Sequence, residues 1–194
     1  IDFSVPGGTA AIVAICSQRA IPLVVATTGL NEAQQAMVES AGAKIPIVWA
    51  PNISLAVNLL MKLSQTAAHA LRDCPAGVDV EIIERHHRFK RDAPSGTALA
   101  FGRIIADVMG QNEVRHGREG EPGPRGPHEI GYHAVRAGDD PGQHTIVFGM
   151  LGEAIELRVA ATSRDAYAHG ALAAAKFLVG KPSGLYDMFA VLGL

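Results

Sequence analysis

Short apolar runs rich in β-branched residues alternate with helix-length segments over the first seventy residues, and this alternation constrains the fold more than any other feature. A helix-compatible stretch at 10–18 follows the turn-rich Ser4-Val5-Pro6-Gly7-Gly8-Thr9. Ile21 to Ala26 then reads as a strand that runs into Thr27-Thr28-Gly29, and residues 31–41 as a helix with Asn31 at its N-cap. Ile45 to Trp49 is a second short strand, Ala50-Pro51-Asn52 the loop after it, and Ser54 caps a longer helix that reaches about Leu71. Strands separated by helices pair in parallel, and a parallel sheet offers its ligand site at the C-terminal ends of its strands.

The pattern changes after Asp73. Val78 to Ile83 reads as a strand and Ala98 to Met109 as a helix, followed by a Gly/Pro/Arg-rich loop at 115–128. Strand-like runs at 130–136, 144–149 and 154–161, separated by turns, suggest an antiparallel meander. A last helix from about Asp165 to Val179 stops at Gly180, with Pro182 beyond it. The expected class is α/β: an incomplete Rossmann-type parallel-sheet domain, joined to an α+β domain with a mixed sheet.

Composition narrows the partners. A net charge of −2 lacks the basic surplus that nucleic acid or an anionic membrane demands, and an aromatic share of 5% disfavours a base-stacking surface. No apolar run approaches the ~20 residues of a membrane span, and the opening stretch has no basic leader region. Cys16 and Cys74 show no metal-ligand spacing and read as reduced thiols, so a cytoplasmic protein is expected (plastid, if from a plant). Histidines 116, 128, 133, 144 and 169 are scattered; each is expected on a surface or in a loop, and no metal site is expected.

The densest chemistry lies in Glu84-Arg85-His86-His87-Arg88-Phe89-Lys90-Arg91-Asp92-Ala93-Pro94-Ser95-Gly96-Thr97-Ala98, read as a loop that becomes a helix N-terminus. Four cations and two histidines precede Ser95-Gly96-Thr97, which brings free backbone N–H groups, hydroxyls and the positive end of a helix dipole. That combination suits an acidic small molecule, with imidazole able to exchange a proton near neutral pH. A solvated basic loop with an ordinary helix cap remains the alternative.

The run Glu81-Ile82-Ile83-Glu84-Arg85-His86-His87, with Lys90, Asp92 and Pro94-Ser95-Gly96-Thr97-Ala98, resembles the signature of 4-hydroxy-tetrahydrodipicolinate (dihydrodipicolinate) reductases. The likeness extends to Asp2-Phe3-Ser4, Thr27-Thr28-Gly29, Asn52-Ile53-Ser54, Thr145, Gly152-Glu153, Ser163-Arg164 and Gly184-Leu185-Tyr186-Asp187-Met188. It implies an NADPH- or NADH-dependent oxidoreductase of lysine and diaminopimelate biosynthesis. His86 would be the proton donor, and Lys90 a second donor and carboxylate partner. His87 would contact a small dicarboxylate substrate, and Ser95, Gly96 and Thr97 would bind its carboxylate. Ala26, Thr27, Thr28, Ala50, Pro51, Asn52 and Ile53 would line the cofactor. The resemblance further implies a homotetramer, with residues 1–53 and 165–194 in a dinucleotide-binding domain and 54–164 in a substrate-binding and tetramerisation domain.

Three departures bear on these expectations. Ala26 stands where the family usually has glycine, and Pro51 replaces a small residue and removes a backbone donor. The family's opening strand, Gly-rich turn and helix find no counterpart, since Gly117 to Gly126 does not open a helix after a strand. The chain starts without Met, as the end of a buried strand, so sequence is expected ahead of Ile1, and weak nicotinamide binding by the 194 residues alone. A cofactor-deficient binding or assembly protein is the rival reading.

Overall fold

The computed structural model describes all 194 residues, Ile1–Leu194, which divide into two units. The first comprises Ile1–Leu59 and Asp165–Leu194, and the second Leu60–Arg164.

In the first unit, β1 (Leu23–Val25), β2 (Pro46–Trp49) and β8 (Gly184–Tyr186) form a parallel sheet in the order β1-β2-β8. Asp2 adds a parallel bridge to Val25. Alternate residues serve opposite faces. Leu23, Val25 and Ile47 pack with Val13 of α1 (Pro6–Arg19) and with Val38 and Ala41 of α2 (Glu32–Gly42). Val24 and Val48 pack with Ala171, Ala174 and Leu178 of α5 (Asp165–Leu178) and with Met188 of α6 (Met188–Leu192). Helices on both faces explain why β1 is buried at every position rather than at alternate ones.

The expected helix at 10–18 begins earlier, at Pro6, whose missing N–H costs nothing in a first turn. Asn31 forms a full capping box with Gln34. Ser54 receives the Val57 N–H at the start of α3 (Leu55–Leu71). Gly170 of α5 lies against the chain after β2, where a Cβ would come within 1.7 Å of the Ile53 carbonyl oxygen. Only a bare backbone permits that approach.

The second unit is a five-stranded sheet in the order β4-β5-β3-β6-β7: Glu113–His116, Glu129–Arg136, Asp79–His86, Gln143–Met150 and Glu153–Ala160. This corrects the meander. β5 and β6 do not pair, because β3 lies between them, parallel to β5 and antiparallel to β6; only β6 and β7 are neighbours in both sequence and sheet. The loop expected at 115–128 also loses its first residues to β4. α4 (Gly96–Met109) covers one face with Ala98, Phe101 and Ile105, over the buried Val80, Ile82, Ile130, Ile146 and Phe148.

Candidate active site

Strand β3 runs three residues beyond its expected end, so Glu84, Arg85 and His86 belong to a strand rather than a loop. Their period of two decides the site. Glu84 and His86 share the buried, α4-covered face with Val80 and Ile82, and Arg85 turns to the other side.

Glu84 is a buried hub. Its carboxylate receives Arg136 in a two-pronged pair, Nη1 to Oε2 at 2.7 Å and Nη2 to Oε1 at 2.6 Å. The Ser95 backbone N–H donates to Oε1 at 3.1 Å, and His86 Nδ1 lies 2.5 Å from Oε2. Burial by itself pushes the Glu84 carboxyl up, but the bonds from Arg136 and His86 outweigh it and hold the group below the ordinary range. An ionised carboxylate only accepts, so the His86 Nδ1 must be the donor.

A second histidine completes the cluster, contrary to the expectation of a surface or loop position. His144, on β6, is buried, with its ring edge-on to His86 at 5.3 Å and its Nε2 3.0 Å from Ser95 Oγ. Burial lowers its pKa to about 4, assisted by the nearby His86 and Lys90 charges and opposed by Glu84, so His144 is neutral at pH 7. The two imidazoles are thereby differentiated, since only His86 has a carboxylate partner.

Because β5 and β6 flank β3, the turn joining them crosses the C-terminal end of β3. Ala137 N–H donates to the His86 carbonyl at 3.0 Å, His87 N–H to Asp140 at 2.8 Å and Arg88 N–H to Gly138 at 3.0 Å. This crossing sets Gly142 against the His86 ring, where a Cβ would stand 2.8 Å from Nε2.

Beyond the strand, Lys90 is half-buried and pairs with Asp92 at 2.8 Å. His87 is half-buried, its Nδ1 enclosed without a hydrogen bond and its ring 6.2 Å from that of the exposed Phe89. Ser95 caps α4 through Oγ, which accepts the Ala98 N–H at 3.1 Å. Gly96 is exposed, with open space where a Cβ would be, and Thr97 is half-buried in the same first turn. Arg85 reaches Asp140 at 3.6 Å on the other face, and Arg88 and Arg91 are exposed. Of the four expected cations, Lys90 contributes to lowering the His144 pKa.

The residues expected to line a cofactor lie in the first unit, just past the C-terminal ends of β1 and β2. Thr28 and Pro51 are exposed, Ala26 and Asn52 half-buried. The rest face inward. Ala50 and Ile53 belong to the core beneath α5, and the Thr27 hydroxyl donates to Asp2 Oδ2 at 3.2 Å. Their side chains are committed to packing, leaving backbone atoms to meet a ligand. Asp2 also takes the Thr9 hydroxyl at 2.6 Å and the Ser4 N–H, which places a carboxylate at the start of α1.

The Arg118-to-Arg125 loop is tied to the face of the sheet opposite α4. Arg118 and Arg125 both bond Glu81, at 2.7 and 3.1 Å; Arg118 also bonds Glu129, and His133 Nε2 lies 2.7 Å from Glu81. No cluster of three His, Cys, Asp or Glu side chains is placed to hold a metal, and no helix is long and apolar enough to cross a membrane.

Comparison with known proteins divides the chain near the start of α3, and the C-terminal match also takes in α5 and α6 of the first unit. A family model described as dihydrodipicolinate reductase, N-terminus, matches residues 1–53, and one described as dihydrodipicolinate reductase, C-terminus, matches 56–192. A 4-hydroxy-tetrahydrodipicolinate reductase from Rhodopirellula baltica is 59% identical over the whole chain, which spans 70% of that relative's length. The enzyme of the same name from Thiobacillus denitrificans is 47% identical, with 73% of its length spanned. The dipicolinate-bound dihydrodipicolinate reductase from Paenisporosarcina sp. TG-14 superposes with a TM-score of 0.79 at 28% identity, covering 97% of this chain and 71% of that one. The chain belongs to the dihydrodipicolinate reductase family.

Proposed function

We propose that this protein reduces 4-hydroxy-tetrahydrodipicolinate to tetrahydrodipicolinate with loss of water, using NADPH or NADH, in lysine and diaminopimelate biosynthesis. One observation carries the reading: the two oxygens of Glu84 hold the His86 ring and the Ser95 N–H that opens α4. A proton donor and a helix N-terminus are thus fixed to one carboxylate. The dipicolinate in the related structure is a planar ring with two carboxylates, the kind of molecule such a site would receive.

In this reading one substrate carboxylate rests on the Gly96 and Thr97 N–H groups, where the open space at Gly96 permits close approach and the helix dipole favours negative charge. Lys90 turns from Asp92 to the carboxylate, and His87, with its enclosed Nδ1, borders the ring. The nicotinamide supplies hydride when bound; backbone groups of Ala26, Ala50 and Ile53, with Thr27, Thr28, Pro51 and Asn52, would hold it. Once the ring hydroxyl has left as water with a hydrogen from the adjacent carbon, a C=C conjugated with the C=N results, and hydride addition to it would leave negative charge at the far end of that system. His86 quenches that charge with a proton while Lys90 lowers its cost. The face of the five-stranded sheet opposite α4, with Ile83 and Val135 partly exposed, supports assembly as a homotetramer.

The test is calorimetric titration with dipicolinate beside steady-state kinetics. Lys90→Ala should weaken dicarboxylate binding at least about tenfold, the loss of one charge-assisted pair. His86→Gln should leave binding nearly intact while lowering turnover by about 10²–10⁴. Normal turnover in either variant would refute the assignment.

A further inference from the structure

Glu84 exchanges no atom with the substrate in the proposed reaction, yet it is almost completely buried and makes four hydrogen bonds, to Arg136 twice, to Ser95 and to His86. Such investment in one carboxylate calls for a reason beyond folding, because an apolar pair could fill the same space without the cost of desolvating two charges.

We infer that Glu84 is the positioning residue of the proton donor: it locks the His86 ring with Nδ1–H as its own donor, so that the transferable proton is the one on Nε2, and Gly142 keeps that nitrogen open. The inference rests on the reading of His86 as the acid and deepens it.

Three features lead to it. Arg136 occupies both carboxylate oxygens from one side, so Glu84 cannot rotate away from His86 without breaking a two-pronged pair. With Nδ1 spent on Glu84, Nε2 is the remaining nitrogen, and it makes no hydrogen bond within the protein. The 137–142 turn, forced across the end of β3 by the strand order, lays its last residue over the ring. There a Cβ would stand 2.8 Å from Nε2 and 3.1 Å from Cδ2. Any side chain at position 142 would occupy the space through which a substrate reaches the proton.

The step balances. A bound nicotinamide would supply the hydride and its two electrons; the Nε2–H bond of the His86 imidazolium then breaks, and its proton bonds to the ring carbon left anionic. The electron pair stays on Nε2. The neutral imidazole keeps Nδ1–H on Glu84 and regains its Nε2 proton from water. Throughout, the same carboxylate holds the α4 N-terminus through Ser95, so the acid and the anion-binding turn keep a common frame.

Imidazole ¹⁵N spectra of the whole chain test this, with the His86 signals assigned by His86→Gln. In the wild type, neutral His86 should carry its proton on Nδ1, and dipicolinate should shift Nε2 while leaving Nδ1 in place. Glu84→Gln exchanges a charge-assisted bond for a neutral one, and the ratio of the two tautomers should move by about tenfold toward Nε2–H. A wild-type ring protonated on Nε2, or a Glu84→Gln tautomer ratio unchanged from wild type, overturns the inference. Should Glu84→Gln not fold, the wild-type spectrum still decides the tautomer, and Gly142→Ala should abolish the dipicolinate shift at Nε2; a retained shift overturns the open-nitrogen assignment. Amide signals of Gly96 and Thr97 separate the two levels. If dipicolinate leaves them unmoved, the functional reading fails; if they move while the tautomer is wrong, only the role of Glu84 fails.

Discussion

Glu81 offers a quantitative test of how the sheet face opposite α4 is held together. Burial pushes its carboxyl up, but bonds from Arg118, His133 and Arg125 overcome that and bring the pKa from 4.5 to about 2. A depressed folded-state value means that the contribution to stability is complete above the unfolded pKa of 4.5 and is lost as pH falls through 2. A difference of about 2.5 units at 1.36 kcal/mol each amounts to about 3 kcal/mol. By linkage, roughly half of that survives at pH 3, and almost none below pH 2. Glu81→Gln should therefore cost the second unit about 3 kcal/mol at pH 7, and the gap from wild type should narrow as acid is added. Hydrogen exchange on peptides spanning Asp79–His86 reads that unit directly, and peptides spanning Pro46–Trp49 report on the first unit. A gap from wild type that stays constant between pH 5 and 3 would refute the reasoning, since the variant would then have lost packing rather than an ionised partner.

Further expectations follow from the same structure. His144 should titrate near pH 4 in imidazole NMR; its folded value lies below the ordinary 6.5, so the unfolded chain takes up the proton first and stability falls as pH drops from 6.5 toward 4. A midpoint near 6.5 would contradict its burial beside His86. Gly170→Ala drives a methyl into the Ile53 carbonyl and should cost about 1–3 kcal/mol in urea unfolding, with exchange protection lost around Ile53. Ser95→Ala removes the cap on Ala98 and should cost about 1 kcal/mol of unit stability, yet leave dipicolinate binding within a few-fold if, as proposed, the anion rests on the Gly96 and Thr97 backbone N–H groups. A tenfold loss of binding in that variant would move the anion contact to the hydroxyl.

Much of the first unit was legible because its determinants are local. The capping box at Asn31, the Ser54 cap, the β-branched runs and the Gly180 stop each act within a few residues of themselves. The segment from Glu84 to Ala98 was likewise visible as chemistry, by its cations, imidazoles and helix-opening Ser95-Gly96-Thr97. β8 was missed because three residues give no measurable period, and β4 because a fully exposed edge strand shows no alternation.

What the chain order alone could not decide was which strands are neighbours. Nothing local in residues 129–150 tells β5 and β6 to leave room for β3, laid down some forty residues earlier; the choice follows from burying Ile130, Val80 and Phe148 side by side beneath α4. That non-local decision extends β3 to His86, brings Arg136 to Glu84 and His144 to Ser95, and lays Gly142 over the imidazole. Residue types and caps are properties of short stretches and can be read in order. The company a catalytic side chain keeps is a property of packing, and exists only once distant strands have paired.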